Sequence, residues 1–250
     1  MQEADLFAPS DSPVETTGIL DVTARYALNV VAPVAPTPGN CARCPLAKTA
    51  KTVCMAPILV PGDGPLLLVV GESPGREEDM RGQPFCGPSG QYIRPQIAKW
   101  WRGRVAYTNA DRCAAGDAIT DKTVAACRGY LRHEIEELKP ARIVAVGVWA
   151  ASALVGDGSP APLSSRGAYA HVLGIPAFFV LHPAAARRNR HYRTAFEHDL
   201  RWALTCASPP VEVPTWRAFS ESGEAVAYQE GPRRRRRTVH IHRSPPEKPL

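Results

Sequence analysis

Leu66-Leu67-Leu68-Val69-Val70-Gly71-Glu72-Ser73-Pro74-Gly75 is the stretch whose reading decides the fold. Five apolar residues without a polar interruption suit a strand buried on both faces, as in a parallel sheet. Gly71 closes the run and a Gly- and Pro-rich turn follows, which lets backbone N–H groups approach a ligand closely. Three later runs repeat the theme. Val105-Ala106-Tyr107 leads into Thr108-Asn109, Ile143-Val144-Ala145-Val146 stops at Gly147, and Ala177-Phe178-Phe179-Val180-Leu181 stops at His182-Pro183. Helical candidates lie near 89–101, 121–138, 147–155 and 191–205. Strands separated by helices predict an α/β fold, a three-layer α/β/α sandwich around a mainly parallel four-stranded sheet. In such sheets ligands bind beyond the carboxyl ends of the strands. Glu72, Asn109 and His182 are all expected on that rim.

Outside this block the chain changes character. Residues 1–40 read as a flexible lead ending in a Pro-rich linker, Ala32-Pro33-Val34-Ala35-Pro36-Thr37-Pro38-Gly39. Pro209, Pro210 and Pro214 stop the last helix, and Arg233 to Arg237 is a run of like charge. Residues 207–250 are therefore expected to be a disordered basic tail, leaving 41–206 as the folded domain. The net charge of +6 is uneven: the lead holds one Arg against five acids, whereas 41–206 keep 21 basic against 14 acidic residues. A basic domain suits a polyanionic partner such as nucleic acid. No apolar stretch is long enough to span a membrane and no secretory pattern opens the chain, so a cytoplasmic protein without a membrane partner is expected. The seven cysteines are an odd number, which argues against a closed disulfide framework.

Each motif has an ordinary reading beside a functional one. The Gly71–Gly75 turn followed by Arg76-Glu77-Glu78-Asp79 could be a plain strand-to-helix connection. Phe85, in Gln83-Pro84-Phe85-Cys86-Gly87-Pro88-Ser89-Gly90, could stack on a base, though a Phe is more often core. Asn109 offers a donor and an acceptor to a pyrimidine edge, though a strand-end cap is its commoner role. His182 could stabilise charge on a leaving group. The arginines after it, Arg187, Arg188, Arg190 and Arg193, could hold phosphates. Cys41-Ala42-Arg43-Cys44 is a C-x-x-C pair, with Cys113 and Cys127 far downstream. Four soft thiolates suit either zinc or an iron–sulfur cluster, and spacing does not choose between them. Cys54, Cys86 and Cys206 are left over and read as small apolar residues.

Taken in order, these motifs resemble the family 4 uracil-DNA glycosylases, the iron–sulfur, thermostable-type branch of their superfamily. The resemblance runs from about Cys41 to Trp202. It rests on Cys41-x-x-Cys44-Pro45-Leu46, Gly71-Glu72-x-Pro74-Gly75-x-x-Glu78-Asp79 and Gly82-x-Pro84-Phe85-x-Gly87-x-x-Gly90. Thr108-Asn109-x-x-x-Cys113, Cys127 and His182-Pro183-Ala184 complete it. It implies a uracil-DNA glycosylase fold and excision of uracil from DNA by a monomer. It also implies a [4Fe–4S] cluster on Cys41, Cys44, Cys113 and Cys127. By the same resemblance Phe85 stacks on the flipped uracil, Asn109 reads its edge, and Ser73 and Gly75 border the substrate. Glu72 lies beside the sugar and the attacking water, Glu78 near the position that excludes thymine's methyl group, and His182 stabilises the departing anion. The chain departs from the pattern in three places. Ser73 stands for the usual Gly or Ala, the 113–127 segment is short and lacks Arg-Pro-Pro, and Ala186-Arg187 replaces Leu-Arg. The region after Thr108-Asn109 also lacks the His-bearing insert with which some relatives trap uracil covalently. Two other functions compete: a non-catalytic module that recognises a modified base, and an iron–sulfur electron carrier. Glu72, Asn109 and His182 together favour the enzyme.

Overall fold

The computed structural model describes residues 29–30, 40–155, 168–207 and 242–243. Strand β3 (Leu66–Gly71) lies at its centre, hydrogen-bonded in parallel to β4 (Arg104–Asn109) on one side and β5 (Arg142–Val146) on the other. β7 (Ile175–Val180) extends the parallel set beyond β5. These are the four strands expected from the apolar runs. Antiparallel strands widen the sheet: β2 (Ile58–Val60) pairs with β4, and β6 (Ala168–Val172) with β7. Two-residue pairings, β1 (Asn29–Val30) on β2 and β8 (His242–Arg243) on β6, complete the order β1-β2-β4-β3-β5-β7-β6-β8. β1 and β8 fall in the expected lead and tail. Apart from Asn40 and Ala207, the rest of those segments, with the expectation of disorder attached to them, lies outside the described residues.

The three layers follow from the alternation along β3. Leu66, Leu68 and Val70 face a core shared with Val124, Leu131 and Ile135 of α4 (Asp121–Leu138) and with Ala150, Ala151 and Leu154 of α5 (Val148–Val155). Leu67 and Val69 face the opposite core, with Ile93 and Ile97 of α3 (Pro88–Trp100) and Phe196 and Leu200 of α7 (Arg190–Thr205). All five side chains from Leu66 to Val70 are buried, and full burial of a Leu or Val stabilises the fold by about 1.5–3 kcal/mol. Helix α4 begins at Thr120, whose hydroxyl accepts the Thr123 N–H in a reciprocal capping box. Two short helices follow strand ends: α2 (Arg76–Arg81) after β3 and α6 (Pro183–Arg188) after β7. A four-residue helix, α1 (Asn40–Arg43), carries Cys41. No described helix is long and apolar enough to cross a membrane.

Candidate active site

The carboxyl rim of the sheet is assembled by backbone register. Gly71 and Asn109 are partners in the parallel ladder of β3 and β4. The ladder continues past both strands, with Ala110 N–H donating to Gly71 O and Asp111 N–H to Glu72 O, each at 2.8 Å. A Cβ on Gly71 would lie 2.3 Å from Asn109 Oδ1 and 2.9 Å from Phe85 Cζ. Only glycine leaves room there, so an amide edge and an aromatic ring close on one backbone position. Phe85 itself has φ 56°, a left-handed conformation that costs a side-chain-bearing residue about 1–2 kcal/mol. Two neighbours hold it. Its ring packs on Tyr107 at 5.2 Å, and a Cβ on Gly90 would fall 1.8 Å from the Phe85 carbonyl oxygen. Arg94 lies over the Tyr107 ring and donates to Pro84 O at 3.1 Å.

Glu78, on α2, is buried and braces the two turns around Phe85. Its Oε1 accepts the Gly87 N–H at 2.7 Å. A Cβ on Gly75 or Gly87 would lie within 2.8 Å of its carboxylate. Ser73 is half-buried in the turn between.

Glu72 points the other way, toward α5. Its Oε1 accepts the Trp149 N–H at 3.1 Å. A Cβ on Gly147, where φ is +100°, would stand 2.4 Å from that oxygen. His182 caps α6, its Nδ1 accepting the Ala184 N–H at 3.3 Å. That bond makes Nδ1 the acceptor, which leaves the proton of the neutral ring on Nε2. Burial lowers the His182 pKa from its ordinary 6.5. The Glu72 carboxylate opposes the shift, Arg188 adds to it, and Glu78 opposes it least. Arg187, Arg188 and Arg190 are exposed just beyond, across the junction of α6 and α7. Sequence reasoning took Gly147 only as a strand stop and passed over Trp149, Tyr107 and Arg94. The rule that placed Glu72 and Asn109 at strand ends would also have found Gly147.

A second constellation lies behind the rim. Cys41, Cys44, Cys113 and Cys127 line one cavity, together with Cys54, Arg112, Leu46, Ala47 and Ala126. Cys54 therefore belongs to this corner, not to the apolar remainder expected for it. Its N–H donates to Cys113 Sγ at 3.3 Å, and its φ is 53°. Arg112, fully buried, pairs with Glu134, donates to Met55 O at 3.3 Å and lies over the Tyr130 ring. Burial raises the Cys113 thiol pKa and pushes Cys127 up to about 12, so both are neutral thiols unless a metal takes their protons. Among the described residues, no three His, Cys, Asp or Glu side chains converge to hold a single metal ion. Four thiols lining one cavity are soft donors of the kind that suit zinc or an iron–sulfur cluster.

Residues 60–203 match the model of the Uracil DNA glycosylase superfamily. The chain is 34% identical over 180 residues to a type-4 uracil-DNA glycosylase of Pyrobaculum aerophilum, covering 64% of this chain and 86% of that one. It is 34% identical over 163 residues to the Thermotoga maritima protein of the same name, covering 60% and 80%. With Saccharolobus solfataricus the identity is 31% over 178 residues, covering 65% and 79%. The strand-end rim falls within the matched residues 60–203, and the chain belongs to the uracil DNA glycosylase superfamily, alongside its type-4 members.

Proposed function

We propose that this protein excises uracil from DNA, hydrolysing the N-glycosidic bond to leave an abasic site. The observation that carries the reading is the convergence of Asn109 Oδ1 and the Phe85 ring on Gly71, one edge reader and one stacking face at a single point of the rim. A base within a duplex is unreachable, so its nucleotide is extruded at a cost of a few kcal/mol. Phe85 stacks on the extruded base and Asn109 pairs with its edge. Glu78, with Ser73 and Gly75, shapes the pocket floor where a thymine methyl group would clash.

Bond cleavage gives the glycosidic electron pair to the base and leaves positive character on the sugar. Neutral His182 donates its Nε2–H toward the anionic base, supported by the Ala184 N–H on Nδ1. A preorganised donor of this kind is typically worth about 3–4 kcal/mol. The Glu72 carboxylate lies on the sugar side and orients the water whose oxygen bonds to the anomeric carbon. The water's proton ends on the released base. Arg187, Arg188 and Arg190 hold backbone phosphates.

Cys41, Cys44, Cys113 and Cys127 would hold a [4Fe–4S] cluster, whose contribution is to cross-link three distant segments. The catalytic domain spans 41–206 and works as a cytoplasmic monomer without a membrane partner. The test is incubation of purified protein with oligonucleotides that each carry one altered base, scoring abasic sites. Uracil release is expected; binding to uracil-containing DNA without release would favour a recognition module.

A further inference from the structure

We propose that the start of α5, through Gly147 and the Trp149 N–H, is the positioning element that fixes the Glu72 carboxylate and commits its two oxygens to different tasks. This rests on Glu72 acting at the sugar, as above. Two independent observations support it. The Trp149 N–H is one of the first-turn donors that a helix leaves without an internal partner, and it is spent on Glu72 Oε1 at 3.1 Å across 77 positions of sequence. The approach is possible only because residue 147 has no side chain: a Cβ there would lie 2.4 Å from Oε1, 2.6 Å from Cδ and 2.9 Å from Cγ of Glu72. Gly147 N–H in turn donates to Val180 O at 2.9 Å, tying this turn to the end of β7, two residues before His182. Among the described residues no hydrogen bond engages Glu72 Oε2, so one oxygen is anchored and the other is left for the substrate side. The Trp149 ring packs on the α4-side core, so its backbone and its side chain serve separate purposes.

That separation supplies the experiment. Trp149→Ala and Trp149→Pro both lose the ring, but only the proline loses the N–H, and proline is tolerated in a helix's first turn. Single-turnover excision and DNA affinity are measured for both, in the parent and in the Glu72→Ala background. Trp149→Ala keeps the N–H and sets the reference rate for loss of the ring alone. Trp149→Pro should fall by about 10- to 100-fold at unchanged DNA affinity, the penalty of a misplaced catalytic group. In the Glu72→Ala background the two should match. Equal rates for alanine and proline in the parent overturn the inference while leaving Glu72's own role standing. A near-parental rate for Glu72→Ala overturns the underlying role. If Trp149→Pro does not fold, the Trp149 amide decides: its NMR resonance should move and its hydrogen exchange quicken in Glu72→Ala, and an unchanged amide overturns the inference.

Discussion

The strand-end rim and the cysteine corner meet in the short stretch from Asn109 to Cys113, yet they are built by opposite means. The rim is backbone architecture: strand register sets Gly71 against Asn109, glycines admit carboxylates and rings, and Phe85 is held in a left-handed conformation by its neighbours. The corner is side-chain chemistry: thiols from distant segments line a hollow together with Arg112, which is paired with the buried Glu134. Asp111 stitches the two together, its N–H on Glu72 O and its carboxylate accepting the Thr123 hydroxyl of α4 at 2.7 Å. The rim is set by backbone register within the sheet, whereas the corner thiols come from segments far apart in sequence. Loss of the corner should therefore cost folding, and loss of a rim residue should cost chemistry.

The largest effect is expected from Cys127→Ser. Structural metal groups contribute on the order of 10 kcal/mol, comparable with a domain's whole stability. Anaerobically purified parent should contain iron and sulfide; the variant should lose both and melt more than about 10 °C lower. One zinc per parent chain without sulfide would remove the cluster from the account, and an unchanged melting point would remove its structural role.

His182→Ala should do the reverse: slow single-turnover excision by about 10²-fold or more, with DNA binding and melting temperature retained. Its pH dependence has a definite sign. The folded His182 pKa is lowered from 6.5 chiefly by burial, so the folded state binds this proton less readily than the unfolded chain does. The stability involved is fully present above 6.5 and is lost as pH falls through the folded value. Protonation would also set an Nδ1–H against the Ala184 N–H. Excision should therefore be level across neutral pH and fall at acid pH, and a rate that rises on acidification would contradict the neutral-donor role.

A smaller, sharper contrast comes from two glycines. Gly71→Ala forces a Cβ against the buried Asn109 and Phe85, and overpacking of this kind costs about 1–3 kcal/mol. Excision and uracil discrimination should both drop. Gly129 lies inside α4 with open space for 4 Å around the place a Cβ would take. It should instead gain up to about 1 kcal/mol on conversion to Ala, with activity unchanged. Equal behaviour of the two variants would mean that close packing at Gly71 has no part in base recognition.

The same division explains what was legible in the sequence. The parallel strands announce themselves because both faces are buried and the apolar runs are unbroken, and the four long helices match their expected spans closely. β2 and β6 escaped: Ile58–Val60 is three residues long, and Ala168–Val172 mixes Tyr and His with small residues on a strand outside the parallel set. The β6–β7 turn hides because Leu173, at φ 52°, stands where Asn or Asp would have signalled it. Site residue types are visible in one dimension. The contacts that aim them are not, because Gly147 against Glu72 and Cys54 against Cys113 join segments far apart in sequence.

The smallest effect is expected at the chain's end, where removal of 208–250 should leave both regions intact. Arg142 donates to Ala203 O and Cys206 O and packs over Phe178, so the last turn of α7 is pinned from within the sheet. The cut falls beyond those bonds. It removes the run Arg233 to Arg237, whose engagement of phosphates would add affinity without sequence information. Each phosphate that the shortened chain no longer neutralises should lower the slope of log affinity against log salt by about 0.9 on duplex DNA. The truncated protein should bind more weakly at low salt, converge on the parent at high salt, and keep its single-turnover rate under saturating enzyme. The β8 pairing of His242–Arg243 with Ala168 and Tyr169 is the one described interaction that the truncation breaks. It lies at the sheet edge remote from β3 and β4, so a truncated protein that binds DNA but fails to cleave would show that this edge strand supports the rim through β7 and His182.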